Sequence, residues 1–292
     1  MNYIRGLRMM RRNVYHRASC VRNLNVGISM SSGSNQQLPM NEKRLGVLGT
    51  PLECTTYANL TARCHQLARA GNTVAVDFTN TQIVTMRRCD PEFRKATERF
   101  DFFIPDGMPL IWCLNSQGAG LRDRVYGPTF MRHCVLASPD PFTHYFLGGS
   151  EECLSRLKSV FCSLNPHIKI TGSRHGYFPE NEEIEIVNEI NRLEPSFIWV
   201  GLGTPKQQQW IYRNKPRIKR GVIFAVGFAF DVNAGTKPDA PLWMQRLGLT
   251  WVFRMVSEPR RLLRRYVRYN SLFLFYLIKD GLKGRAFATR LP

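Results

Sequence analysis

Several absences narrow the reading of this 292-residue chain before any motif is considered. No apolar run approaches the roughly 18 residues that a bilayer-spanning helix needs, and SLFLFYLI at 271–278 is far too short. No apolar stretch of the kind found in secretory signals follows the first methionine, so export by that route is not expected. The eight cysteines are separated from one another by at least eight residues, with no C-x-x-C pair and no zinc-like Cys/His spacing. They read as reduced thiols of a cytosolic chain. There is no D-x-D pair to grip a divalent cation, and no G-x-S-x-G, H-E-x-x-H, P-loop or G-x-G-x-x-G pattern. Metal-dependent and serine-nucleophile chemistries lose ground accordingly, and neither a metal site nor a bound cofactor is expected.

Acidic residues are scarce at the two ends. Residues 1–41 hold six arginines and no acid, and residues 251–292 hold ten Lys+Arg against Glu258 and Asp280. Only +5 of the formal +19 therefore belongs to the 209 residues between them. Basicity confined to the ends calls for an anionic partner of the ends: a lipid surface, phosphate groups or nucleic acid. The Arg-rich start resembles an organelle transit peptide. An unstructured basic tail, or sequence upstream of a start at Met30 or Met40, is the more economical reading. SSGSNQQLPMNEKR at 31–44 reads as a linker.

The overall composition is that of a folded protein, with 43% of residues hydrophobic and 11% aromatic. Strand-like apolar runs occur at 73–78, 100–105, 143–149, 167–173, 196–203 and 221–230. They alternate with helix-length stretches such as 82–99, 150–164, 180–194 and 206–219. This alternation predicts an α/β fold with a mostly parallel sheet covered by helices on both faces. Domain boundaries are expected at 1–43 for the tail, 44–250 for the core and 251–292 for a C-terminal appendage. In such sheets ligands bind beyond the carboxyl ends of the strands. Asn80, Asp106, Gly148, Gly149, Lys206 and Gln207 all fall there.

DFFIPDGMPLIW at 101–112 is the most telling stretch, an apolar run interrupted by Pro105, Asp106 and Gly107. A desolvated carboxylate finds donors, stays wet, or is kept for chemistry. Asp106 is thus read as a general base or as the N-cap of the next helix, with Gly107 easing a tight turn. FLGGSEE at 146–152 is either a phosphate-binding turn or an ordinary strand-to-helix turn. VGLGTPKQQQW at 200–210 puts Lys206 in a first helical turn, against the helix dipole, which suggests an anion nearby unless the lysine is simply solvated. In LRDRVYG, Arg122 and Arg124 suit phosphate binding or plain surface exposure. From 253 to 279, arginines recur every three or four residues among Leu262, Leu263, Tyr266 and Val267. That pattern fits a basic amphipathic helix on a membrane surface, a terminal helix docked on the core, or a nucleic-acid contact.

Taken together, RVYGPTF, FLGGSEE, ITGSRHGYF, WVGLGTPKQQQWI and the long segment AVGFAFDVNAGTKPDAPLWMQRLGLTWVFRMVSEPRRLLRRY, with the PDG stretch, strongly resemble the WecG/TagA/CpsF glycosyltransferases, family 26. The resemblance covers roughly 45–270. It implies a Rossmann-like fold and an inverting, metal-independent hexosyl- or N-acetylhexosaminyltransferase. Such an enzyme uses a UDP-sugar donor and a polyprenyl-diphosphate-sugar acceptor at the cytoplasmic face of the membrane. It implies Asp106 as the catalytic residue and Arg124, Gln207, Arg254, Arg261 and Arg264 as substrate-binding residues; Thr79, Asn80, Gly148, Gly149 and Lys206, at the strand ends, are expected to bind substrate beside them. It is compatible with a homo-oligomer and assigns no metal, no cofactor and no nucleic acid. Phe78 departs from the family, which often has threonine two positions before this Asn. Two other classes compete: a nucleic-acid-binding protein using both basic ends, which lacks a recognisable binding module, and a nucleotide-dependent oxidoreductase, which lacks the fingerprint glycines.

Overall fold

The computed structural model describes residues 43–282; most of the expected basic tail lies outside them. The described chain opens with an antiparallel hairpin, β1 (Arg44–Val47) and β2 (Thr50–Glu53). Its two-residue turn places Leu48 and Gly49 at φ 49° and 81°, the backbone that a right-twisted hairpin requires. Helix α1 (Tyr57–Ala70) follows, capped by the Thr56 hydroxyl and ended by Gly71 at φ 74°. Strand β3 (Thr73–Thr79) leads into α2 (Thr81–Cys89) and α3 (Pro91–Ala96). The single helix expected over 82–99 is split because Asp90 ends α2 and caps α3, whose first residue is proline.

Next come β4 (Phe102–Pro105), α4 (Met108–Asn115), α5 (Gly127–Ala137), β5 (Thr143–Gly148), α6 (Glu151–Leu164), β6 (Lys169–Arg174) and α7 (Glu183–Leu193). They are followed by β7 (Phe197–Gly201), α8 (Lys206–Asn214), β8 (Gly221–Ala225), α9 (Ala229–Ala234), α10 (Leu242–Arg246), α11 (Thr250–Ser257) and α12 (Pro259–Leu282).

The six expected strands form one all-parallel sheet in the order β4-β3-β8-β7-β5-β6, Rossmann-like and covered on both faces. Alternating side chains feed two cores. Phe197, Trp199, Val222 and Phe224 face one, and Ile198, Val200, Ile223 and Ala225 face the other. That two-sided burial explains why the strands read as continuous apolar runs.

Helix α12 is docked on the core, one of the three placements its sequence allowed. Phe273 (3% exposed) joins one core, Tyr269 packs against Ile83 and Phe93, and Thr81 donates to Asn270 at 3.0 Å. Burying Phe273 alone contributes roughly 2 kcal/mol. Its outer stripe, with Leu263, Val267, Leu274 and Ile278, stays exposed. No described helix is long and apolar enough to cross a membrane.

Candidate active site

The carboxyl ends of β3 and β4 are held together by the Asp106 N–H donating to the Thr79 carbonyl at 2.7 Å. The Asp106 side chain then turns away from α4. Its Oδ1 accepts the N–H of Gly127, the first residue of α5, at 3.0 Å, while α4 starts at Gly107 without a side-chain cap. The N-cap reading of Asp106 on the following helix is thus corrected, because the loop brings a different helix start within reach. Gly107 is also not a strained turn, since its φ of −126° and ψ of 135° are extended backbone open to any residue. Burial pushes the Asp106 carboxyl up to about 7 against the opposing pull of the Arg124 charge, the Gly127 N–H and the Arg254 charge, and the Asp77 charge adds to the rise. A carboxylate poised there can accept a proton near neutral pH.

Arg124 is 6% exposed and lines a cavity that also reaches Asp106. It donates to the Asp106 carbonyl at 3.2 Å and to the Thr250 hydroxyl at 2.9 Å, and lies 4.3 Å over the Tyr126 ring. It thereby ties the end of β4 to α11, so the expected boundary at 250/251 cuts through the site.

Two cavities meet at Asp106. The first, of about 500 Å³, is mostly apolar, with Trp112, Trp251, Phe273, Leu274 and Leu277 in its lining. The second, of about 540 Å³, is bordered by Gly149, Lys206, Gln207, Arg261 and Arg265. Asn80, Gln82, Asp106, Tyr126, Arg254 and Tyr266 belong to both walls. The second cavity is strongly basic, with Lys237 also on its wall, although Glu258 engages Lys237 at 3.1 Å and Arg261 at 2.5 Å. The Nε atoms of Arg254 and Arg265 are buried with no hydrogen-bond partner among the described residues. Arg254 instead lies 3.9 Å over Phe228, and burial pushes the Arg265 guanidinium down from its ordinary range. Buried donors without partners mark where an anion would be held.

Asn80 caps α2 through Ile83 N–H at 3.2 Å and reaches both cavities. Lys206 donates to the Gly176 carbonyl at 2.9 Å, and Gln207 accepts the Gly203 N–H at 3.2 Å. Gly149 lies on the basic cavity, but its N–H points at the Gly201 carbonyl at 3.4 Å.

Three expected substrate contacts are not brought to the site. Thr79 is fully buried, its hydroxyl given to Asp77 at 2.5 Å. Gly148 lies behind the wall, where φ of 138° and a Cβ that would come 2.5 Å from Gly201 backbone explain the glycine. Arg264 is exposed on the outer side of α12, and its neighbour Arg265 takes the cavity. Arg261 and Arg265 stand four residues apart on one helix face, and Arg264, three residues after Arg261, falls at the edge of that face away from the cavity. That spacing was legible in the sequence. Tyr126, two residues after Arg124, had a positional signal too, whereas Gln82 and the apolar lining residues Trp112 and Leu277 had none.

A family model described as glycosyl transferase WecG/TagA/CpsF matches residues 45–287. Proteins of three Staphylococcus aureus strains, MW2, NCTC 8325 and COL, are each 22% identical over 242 residues, 82% of this chain and 94% of theirs. Each is an N-acetylglucosaminyldiphosphoundecaprenol N-acetyl-beta-D-mannosaminyltransferase.

Proposed function

The chain belongs to the WecG/TagA/CpsF family of glycosyltransferases, and on that premise we propose that it moves a hexose or N-acetylhexosamine, such as N-acetylmannosamine or glucose, from a UDP-sugar to a sugar carried on a polyprenyl diphosphate. The transfer inverts the anomeric centre, needs no metal ion, and serves cell-surface polysaccharide synthesis. One observation carries the reading: Asp106 sits in the wall shared by a basic cavity and an apolar one. A UDP-sugar suits the first and a lipid-linked acceptor the second, and the Staphylococcus aureus relatives are named for an acceptor of that kind.

In this scheme the acceptor hydroxyl gives its proton to Asp106 as its oxygen attacks the anomeric carbon. The bond from that carbon to the diphosphate breaks on the opposite face, and UDP leaves. Arg254, Arg261, Arg265 and Lys206 stabilise the charge that develops on the leaving group, the part a cation would otherwise play. Asn80 and Gln207 orient the sugars. The exposed Leu263, Val267 and Ile278 of α12, with Arg260, Arg264 and Arg268 on the same helix, meet an anionic membrane surface at its cytoplasmic face.

The test incubates purified full-length protein with a detergent-solubilised polyprenyl-diphosphate-linked N-acetylglucosamine and a panel of radiolabelled UDP-sugars, with and without EDTA. Label is expected in the lipid for one or a few donors, with the EDTA arm unchanged. Label that never leaves the nucleotide would sink the proposal, and loss of transfer on chelation would sink its metal-free form.

A further inference from the structure

Besides Asp106, four carboxylates are buried among the described residues. Glu53 meets Arg63, Glu183 meets Arg213 and Asp280 meets Arg88, at 3.1, 2.5 and 3.3 Å. Asp77 is fully buried in β3, between β4 and β8, and has no cation at ion-pair distance among those residues. Only neutral groups hold it. The Thr79 hydroxyl donates to Oδ1 at 2.5 Å, and the Gln208 amide donates to Oδ2 at 2.8 Å. A carboxylate buried without a charge partner is destabilising, and an apolar side chain would fill the site at lower cost.

Its two partners explain the retention. Thr79 is the residue whose carbonyl accepts the Asp106 N–H, and it precedes Asn80. Gln208 follows Gln207, whose own amide oxygen accepts the Gly203 N–H on the opposite side of the basic cavity. Among the described residues, Asp77 is the side chain bonded to both. We infer that the Asp77–Gln208 pair is a positioning bracket that fixes the span between the strand end bearing Asp106 and the helix start bearing Lys206 and Gln207. This rests on the transferase reading, in which those two walls hold the base and the donor. Burial pushes the Asp77 carboxyl upward, against the hydrogen bonds of Thr79 and Gln208 and the charge of Arg87. The bracket closes in either protonation state, because Gln208 Oε1 is buried without a partner and can accept from a protonated acid once the amide is turned over.

The test compares Asp77→Asn with the double variant Asp77→Val/Gln208→Leu in the full chain. Asparagine keeps both ends of the bracket, accepting from Thr79 and donating to Gln208 Oε1. The double variant removes the bracket and leaves no orphan, since the Thr79 hydroxyl also lies 3.4 Å from the Asp77 carbonyl. Expected for the double variant are a Tm at or above wild type and amide exchange at 79–82 and 203–209 faster by about tenfold. Its kcat falls roughly 10- to 100-fold with KM for the UDP-sugar changed by less than about threefold, as a misplaced pair of reacting groups would give. Asp77→Asn stays within about threefold of wild type in both exchange and kcat. Unchanged local exchange in the double variant overturns the inference. So does Asp77→Asn proving as damaging as the double variant, or a Tm that falls in step with activity. Exchange is read without any substrate, so a wild-type protein that transfers no sugar would count against the proposed function while the bracket is still decided.

Discussion

The two cavities that meet at Asp106 are nearly equal in size, about 500 and 540 Å³, and opposite in character. The basic one is built mainly by turns at strand ends, where glycines and first helical turns crowd together. The apolar one is built by α4, α11 and α12, and much of its wall lies beyond the last strand. On the proposed reading, chemistry at a shared wall would keep a charged, leaving nucleotide and a greasy acceptor in separate surroundings, with the Asp106 carboxylate between them. The arrangement also explains why α12 is docked on α2 yet exposes an apolar stripe: it closes the cavity on one side and is open to a surface on the other.

The largest effect expected is from the shared wall itself. Asp106→Asn keeps an acceptor for the Gly127 N–H, so its far-UV spectrum should match wild type while transfer falls by about 10³-fold. In the wild type, kcat/KM should rise about tenfold per pH unit up to a bend near 7, where the carboxyl ionises. Stability should move the other way. The folded state raises this pKa above its unfolded value, so it binds the proton more tightly. The stabilisation is full below the unfolded pKa and is lost as pH climbs through about 7. Thermal melts of Asp106→Asn should therefore lie above wild type at pH 8, with the gap closing toward pH 5. Equal melts at both values would mean that burial does not penalise this carboxylate.

Next in size come substitutions that touch one cavity. Arg265→Ala should cost about 30- to 100-fold in kcat/KM for the UDP-sugar, the loss typical of one charge-stabilising donor. Arg264→Ala, one residue away but outside the cavity, should leave turnover of a soluble short-chain acceptor within about twofold. On the apolar side, Trp112→Ala should raise KM for a long polyprenyl acceptor by about five- to tenfold, with KM for the UDP-sugar unmoved. Steady-state kinetics with both substrates varied would check all three. If Trp112→Ala raised the donor KM instead, the assignment of the cavities would be reversed.

The difference between the cavities also governs what is legible in the sequence alone. The six strands and the strand-end residues of the basic cavity were legible because local signals converge there: apolar runs, Gly-Gly turns, and a lysine in a first helical turn. The apolar cavity was not, because Trp112, Trp251 and Leu277 come from three helices that only tertiary packing brings together. Hairpin β1–β2 and the break at Asp90 fell below the coarse alternation of strands and helices. Thr79 and Gly148 were misplaced for one reason. Position at a strand end does not say which way a side chain or amide points, and a shift of one residue reverses it. Arg264 and Arg265 differ by the same kind of step on a helix.

The smallest effect expected is at Gly107, and it tests what the glycine beside Asp106 does. Its backbone is extended, and an added Cβ would meet Pro109 Cδ at 3.8 Å and Asn80 at 4.0 Å, ordinary contacts. Alanine is a poorer first cap for α4 than glycine, by up to about 1 kcal/mol. It also restricts the unfolded chain, which returns about 0.4–1 kcal/mol. The two offset each other, so Gly107→Ala should shift the denaturation free energy by less than about 0.5 kcal/mol and transfer by less than about twofold. A loss beyond tenfold in transfer with an unchanged melt would mean that the backbone swings at this point during turnover, and that the wall between the cavities moves.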